Sequence, residues 1–202
     1  MRMGFDLDGV VIDSLPEMVK EGQRLGCIPK TADARIVSGR LEEEFSISVD
    51  DMKRILTSEV YMRSRPVDEI VSTIQRWMEE GHQVHFVTAR GDEWTPGVEK
   101  VTVDWLHKHG LYDPCAGVHH VRSSKKWAFL KAAGIHVFVD DMPHVIRPMI
   151  GIIHHPFLLA VDQNTWAEGE GMRRWSWDEI RTEIDRLSDD WTSHHSIGQM
   201  LE

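Results

Sequence analysis

Residues 1–14 read MRMGFDLDGVVIDS, and the order of residue types in this stretch decides the fold class. Met3 to Leu7 has the length and apolar content of a short buried strand. It runs into Asp8-Gly9, where glycine can take the backbone angles of a sharp turn. Two carboxylates, Asp6 and Asp8, therefore stand at i and i+2 where a strand gives way to a turn.

Downstream, the same alternation of apolar run and amphipathic stretch repeats. Pro66 to Glu80 has helical spacing, with Pro66 suited to the first turn, Val67, Ile70, Val71, Ile74, Trp77 and Met78 on one face, and Gly81 as the stop. Gln83 to Val87 is a second apolar run, ending in Thr88-Ala89-Arg90-Gly91. A helix with Val98, Val101, Trp105 and Leu106 facing inward then closes at Gly110. Ala116 to Val121 reads as a strand, Ser124 as the cap of a helix over Lys125 to Ala133, and Ile135 to Val139 as a buried strand ending in Asp140-Asp141. A further helix and an Ile150 to Ile153 strand complete the series.

Strands alternating with helices imply parallel pairing with right-handed crossovers, hence a three-layer, Rossmann-like α/β sheet. Sites in such sheets form at the carboxyl ends of the strands, which here carry Asp6/Asp8, Thr88 and Asp140/Asp141. The stretch of about 50 residues between the first strand and the Pro66 helix is too long for a bare loop. Met18 to Leu25, Ser38 to Phe45 and Asp50 to Met62 show helical spacing, Asp50 being a plausible cap for the last. We expect residues 14–65 to form a small helical cap inserted after the first strand, and 1–13 with 66–187 to form the core. Trp166, Trp175 and Trp177 should pack back on that core. Asp178 to Leu187 reads as a closing helix, and 188–202 as a tail.

Composition excludes several classes. Of 202 residues, 33 are acidic and 23 basic, a net charge of −10 that disfavours general binding to nucleic acid or to acidic membrane surfaces. Two cysteines, Cys27 and Cys115, cannot build a disulfide framework, and a reducing cytoplasm fits best. The N-terminus lacks the pattern of a secretory signal. The most apolar later stretch, Val145 to Val161, is broken by Arg147, Pro148, His154, His155 and Pro156, so no membrane span is expected.

Acids grouped at buried strand ends desolvate badly and repel one another unless a cation offsets them. Asp6/Asp8 with Asp140/Asp141 supply hard oxygen ligands that suit Mg²⁺ with several retained waters. Here four stretches, FDLDGVVIDS (5–14), VHFVTAR (84–90), SSKKWAFLKAAG (123–134) and VFVDDMP (137–143), resemble the four ordered motifs of haloacid dehalogenase-like phosphohydrolases. The resemblance covers about residues 1–160. It implies that Asp6 is a nucleophile forming an aspartyl-phosphate and that Asp8 is the acid and base. It also implies that Mg²⁺ is held by Asp6, the Asp8 carbonyl, Asp140 and Asp141, with Asp141 either a ligand or an orienting group. Thr88 and the Ala89 amide would then bind the phosphoryl oxygens, together with a lysine, Lys126 or Lys125, of which the spacing to Asp140 favours Lys126.

Arg90 would bind a substrate phosphate or pair with a neighbouring acid. The adjacent pairs His119-His120 and His154-His155 point to opposite faces of a strand and are not expected to share a metal. Within the superfamily, the insertion, the TAR motif, the DD pair and the late Trp177/Ile180 segment look most like the 5′(3′)-deoxyribonucleotidases. That implies a small phosphorylated substrate, a nucleotide. Phosphatases acting on the 3′-phosphate ends of nucleic acid are the alternative enzyme, and a catalytically silent phosphate- or partner-binding module the alternative of another class.

Overall fold

The first strand, β1 (Arg2–Phe5), lies at the centre of the sheet, in keeping with the burial of Met3 to Phe5. The computed structural model describes residues 1–34, 41–93 and 95–198. After β1 the chain forms a two-residue strand β2 (Ile12–Asp13) and helices α1 (Leu15–Leu25), α2 (Leu41–Glu44), α3 (Val49–Ile55) and α4 (Ser58–Arg63). Strand β3 (Arg65–Pro66) then leads to α5 (Asp68–Glu79), β4 (Gln83–Thr88), α6 (Val98–Lys108) and β5 (Val118–His120). The remaining elements are α7 (Lys126–Ala132), β6 (Val137–Asp140), α8 (Pro143–Ile146), β7 (His155–Leu158) and α9 (Trp177–Gly198).

The five-stranded sheet has the order β5-β4-β1-β6-β7, and every pairing is parallel. Strand order reverses beside β1: the chain moves outward through β4 and β5, then returns to β6 on the other side. A reversal of this kind opens a crevice at the carboxyl ends of the two strands that flank it. The three-layer, Rossmann-like reading therefore describes the molecule.

Residue alternation explains which side chains enter the crevice. Met3, Phe5, Val137 and Val139 belong to one core cluster, with Ile70, Ile74 and Trp77 of α5, Trp105 and Leu106 of α6, and Ile180 and Ile184 of α9. Phe138 belongs to the opposite cluster, with Leu130 of α7 and Val145 and Ile146 of α8. Successive strand residues point to opposite faces, so Asp6, following Phe5, and Asp140, following Val139, both turn toward the α7 side. The first residue of α7 is Lys126. Gly4 faces the same way, and a Cβ there would stand 2.9 Å from the Phe138 ring, so only glycine lets that ring close over β1.

Helices α1 to α3 share a small core of their own, built from Val19, Ile28, Leu41, Ile47, Met52 and Ile55. Its two ends are pinned by the antiparallel ribbon β2–β3, in which Ile12 pairs with Pro66 and Asp13 with Arg65.

Several boundaries differ from the sequence reading. Pro66 lies in the ribbon rather than in the first turn of α5, which begins at Asp68. The expected Asp50 to Met62 helix is two helices. Ser48, not Asp50, caps the first, its Oγ accepting the Asp51 N–H at 3.1 Å, and Thr57 caps the second, accepting the Val60 N–H. A local hydroxyl acceptor therefore restarts the helix where apolar spacing alone suggested continuity. Of the expected Ser38 to Phe45 helix, residues 38–40 lie outside the described residues, and α2 spans Leu41–Glu44. Ser124 supplies no side-chain cap: a 3₁₀ turn, Ser123–Lys125, precedes α7.

The expected Ile150 to Ile153 strand is a turn closed by a single bridge, with Gly151 at φ +78° and Ile150 exposed. The edge strand is β7 instead. An edge strand tolerates Pro156 because only one side of it needs its backbone donors. Finally, the closing helix does not stop at Leu187; α9 runs to Gly198. Among the described residues, no helix is long and apolar enough to cross a membrane.

Candidate active site

The turn after β1 sets the geometry of the site. The Leu7 carbonyl accepts the N–H groups of Val10, Val11 and Ile12 at 3.3, 3.0 and 2.8 Å. Gly9 sits at φ +77°, and a Cβ there would lie 2.2 Å from Asp141 Oδ2. Glycine is thus required both by backbone angle and by the closeness of the Asp141 carboxylate.

At the bottom of the crevice the Lys126 ammonium stands 2.9 Å from Asp6 Oδ1 and 2.9 Å from Asp140 Oδ2. All three residues are buried. Asp140 Oδ1 accepts the Met142 N–H at 2.9 Å, which fixes the plane of its carboxylate. Asp6, Asp140 and Asp141 each offer one oxygen within a group whose members all lie within 4.8 Å of one another. Three carboxylates therefore face one ammonium. Among the described residues, Asp141 Oδ1 is buried without a hydrogen-bond donor, and Asp6 Oδ1 has the shared Lys126 ammonium as its one close cation.

The electrostatics follow from that imbalance. Burial, reinforced by Asp140 and Asp8 and opposed by Lys126, pushes the Asp6 carboxyl up to about 7. Burial and the charges of Asp140 and Asp6 push Asp141 well above the usual carboxylate range. Burial works against the charge on Lys126, yet Asp140 and Asp6 outweigh it and hold the ammonium protonated. Such a set is incomplete without either protons or a further cation. Clustered hard oxygens with unfilled lone pairs fit a divalent ion of the Mg²⁺ kind.

Asp8 has a different environment. Arg90 Nε donates to Asp8 Oδ2 at 2.8 Å and Nη2 donates to Asp8 Oδ1 at 2.7 Å, a two-pronged pair. The pull of Arg90 overcomes the effect of burial and, with a hydrogen bond from Ser14, holds the Asp8 carboxyl below its usual range. The Tyr61 ring, from α4, lies against the other side of the guanidinium, with Arg90 Cζ 4.0 Å from the ring centroid. Between these networks, Thr88 Oγ1 accepts the Arg90 N–H at 3.2 Å, leaving the hydroxyl proton available to a ligand. His120 Nδ1 lies 2.7 Å from the Arg90 carbonyl and braces the same loop.

One cavity of about 1430 Å³ gathers these parts. Asp6, Asp8, Thr88, Ala89, Arg90, Lys126 and Asp141 all line it, while Asp140 lies behind Lys126. Lys125 does not line it and is exposed, because one residue along a helix turns the side chain by about 100°. Arg90, for which two partners were open, is engaged by Asp8. The adjacent histidines diverge: His119 Nε2 lies 3.1 Å from His85 Nδ1, away from the cavity. Sequence reasoning missed Tyr61, Ser14 and His120. Ser14 ends the first motif, while nothing in the local pattern around Tyr61 or His120 announces a contact with Arg90.

Solved structures share this architecture. Superposition on a "predicted phosphatase" from Clostridium acetobutylicum gives a TM-score of 0.61 over 92% of this chain and 98% of that one, at 12% identity. A HAD-superfamily hydrolase from Ehrlichia chaffeensis gives 0.54 over 92% and 96%, also at 12% identity. The chain shares its fold with these solved hydrolase structures. At the level of sequence, this chain is 27% identical over 167 residues to a Bacillus cereus protein named "Putative nucleotidase", covering 75% of this chain and 82% of that one. No protein-family model matches it.

Proposed function

We propose that the protein hydrolyses phosphate monoesters, with a nucleoside monophosphate as substrate, through a covalent intermediate on Asp6. The observation that carries this reading is the buried excess of carboxylate around Lys126, three acids to one ammonium with an Asp141 oxygen left without a donor, where a parallel sheet reverses its strand order. Asp6, the Asp8 carbonyl, Asp140 and Asp141 would hold Mg²⁺, which when bound supplies positive charge against the phosphoryl oxygens. Asp141 acts either as a ligand or by orienting one.

The side chains divide the work. An Asp6 carboxylate oxygen forms a bond to phosphorus as the ester P–O bond breaks, and the departing oxygen takes its proton from Asp8, which must first gain that proton from solvent against the pull of Arg90. Asp8 then removes a proton from water, whose oxygen attacks phosphorus; the Asp6–phosphorus bond breaks and inorganic phosphate leaves. The Thr88 hydroxyl, the Ala89 N–H and the Lys126 ammonium donate to the phosphoryl oxygens and need little reorganisation to do so.

Two observations support a nucleotide. A cavity of about 1430 Å³ exceeds what a bare phosphate needs and is lined by Trp127 and Trp166, whose rings suit a base. The Bacillus cereus relative carries the nucleotidase name. A reducing, cytoplasmic setting suits Cys27 and Cys115, both free. Residues 14–65 act in this reading as the cap that selects the leaving group, with 1–13 and 66–187 as the catalytic core.

Phosphate release should be assayed across nucleoside monophosphates, sugar phosphates and 3′-phosphorylated oligonucleotides, with Mg²⁺ and with EDTA. The expected result is turnover of nucleoside monophosphates that EDTA abolishes and that Asp6→Asn loses while remaining folded. Preference for the oligonucleotides would move the substrate to nucleic-acid ends. Saturable nucleotide affinity without turnover would make the chain a binding module.

A further inference from the structure

The Arg90–Asp8 pair is built across two parts of the chain that need not have met. Arg90 comes from the loop after β4 and is 5% exposed. One face of its guanidinium is covered by the ring of Tyr61, itself 5% exposed, on α4 of the inserted segment. Along its edge, Nε and Nη2 donate to Asp8, and Nη1 lies 3.5 Å from Thr102 Oγ1 on α6. A planar fork held on its face and along its edge has one orientation, and so does the carboxylate it grips. Arg90 takes one lone pair of each Asp8 oxygen and Ser14 donates to the same carboxylate, which leaves one lone-pair direction from which a substrate oxygen or a water can be met.

The segment bearing Tyr61 is fastened to the same neighbourhood. Trp105 Nε1 donates to the Ser64 carbonyl at 3.1 Å, Ser58 Oγ donates to the Pro96 carbonyl at 3.4 Å, and the Thr95 hydroxyl donates to the Leu56 carbonyl. Helix α4 is thus anchored on α6 and on the loop that follows Arg90. That anchoring is what brings a ring from the insertion to a guanidinium of the core.

We infer that Arg90 and Tyr61 are positioning residues: Arg90 fixes the direction of the Asp8 carboxylate and Tyr61 fixes Arg90, so that the seating of the inserted segment sets the geometry of the proton-transferring group. This rests on the hydrolytic role proposed for Asp8. Because the fork of Arg90 is turned on Asp8, its loss acts on turnover and leaves phosphate affinity in place.

The test uses the full chain with Mg²⁺ and p-nitrophenyl phosphate, with inorganic phosphate as inhibitor. In Arg90→Met, kcat should fall by roughly 100-fold, the low end of what a positioned acid or base supplies, while KM and the inhibition constant for phosphate change less than threefold. Arg90→Lys should recover little, because a point charge cannot replace the fork. Tyr61→Leu should lower kcat roughly tenfold, the scale of a desolvated cation–π contact, again with KM held, and Tyr61→Phe should recover most of that loss.

A tenfold rise in KM or in the inhibition constant on Arg90→Met would overturn the inference by making Arg90 a phosphate ligand. An unchanged kcat in Tyr61→Leu would overturn the link to the insertion. If Arg90→Met does not melt cooperatively, the pair Tyr61→Leu and Tyr61→Phe decides. A wild-type chain that releases no phosphate from any ester sinks the proposed hydrolysis and this inference together; a wild type that turns over, with variants that lose KM, sinks the inference alone.

Discussion

Two charged networks stand side by side in one crevice and are built on opposite plans. Around Lys126, three clustered carboxylates are met by one ammonium, which pairs with Asp6 and Asp140, and an Asp141 oxygen lacks a donor. Around Arg90, one carboxylate meets one guanidinium edge to edge, with an aromatic ring on the guanidinium face. The first is charge-imbalanced and comes from the strand ends and α7. The second is balanced and reaches to Tyr61 on α4. Unpaired buried carboxylate is costly and persists where a bound cation offsets it, whereas a saturated bidentate pair gains from being assembled in advance. The contrast separates a place that waits for charge from a place that holds a side chain still.

Removing the cation from the imbalanced network should have the largest effect. Lys126→Met leaves Asp6, Asp140 and Asp141 facing one another in the core, and urea unfolding in EDTA should show a loss of about 4 kcal/mol, the scale for breaking a buried ion pair. A loss under about 1 kcal/mol would mean that the acids are already protonated or solvated.

In the balanced network the corresponding change is Asp8→Asn. It strands the buried Arg90 guanidinium and should cost about 3 kcal/mol in the same measurement.

The imbalance also has a pH signature. The Asp6 carboxyl is raised from 3.8 to about 7, so the folded protein binds a proton more readily than the unfolded chain. Its contribution to stability is complete below about pH 4 and is lost as pH rises through about 7, the sign opposite to that of an ordinary paired carboxylate. Metal-free protein should therefore lose stability over this window, and saturating Mg²⁺ should remove the slope. A flat profile in EDTA would remove the electrostatic case for the site.

The smallest effect is the most diagnostic, because it reverses sign between the networks. Asp141→Asn removes one of the crowded charges and should stabilise the metal-free chain by about 1 kcal/mol, while reducing the stabilisation that Mg²⁺ brings. Equal signs for Asp8→Asn and Asp141→Asn would erase the distinction drawn between the two networks.

Much of the site was legible before the fold was known, because strand ends are short-range patterns. An apolar run followed by Asp-x-Asp-Gly, Thr-Ala-Arg or Asp-Asp names both the strand and the group at its carboxyl end, and parallel pairing gathers such ends. Edge and connection details were less legible. Ile150 to Ile153 is as apolar as a strand should be, yet the chain turns there and pairs at His155–Leu158, where a proline would argue against a strand. Apolar content does not say which run finds a partner. The boundary between α3 and α4 was hidden for a similar reason, since a capping hydroxyl at Thr57 interrupts a spacing that continues on both sides.

What the sequence determined by itself is therefore the alternating architecture and the identities of the acids, the threonine and the pair of candidate lysines, all set by periodicity and by local turn chemistry. Only the tertiary structure decided that Lys126 enters the crevice while Lys125 faces solvent, that Arg90 grips Asp8, and that the Tyr61 ring of α4 lies against Arg90. The physical reason is that a charged side chain takes the partner that burial brings within about 3 Å, and that distance is set by how helices and strands stack, which no single stretch of chain contains.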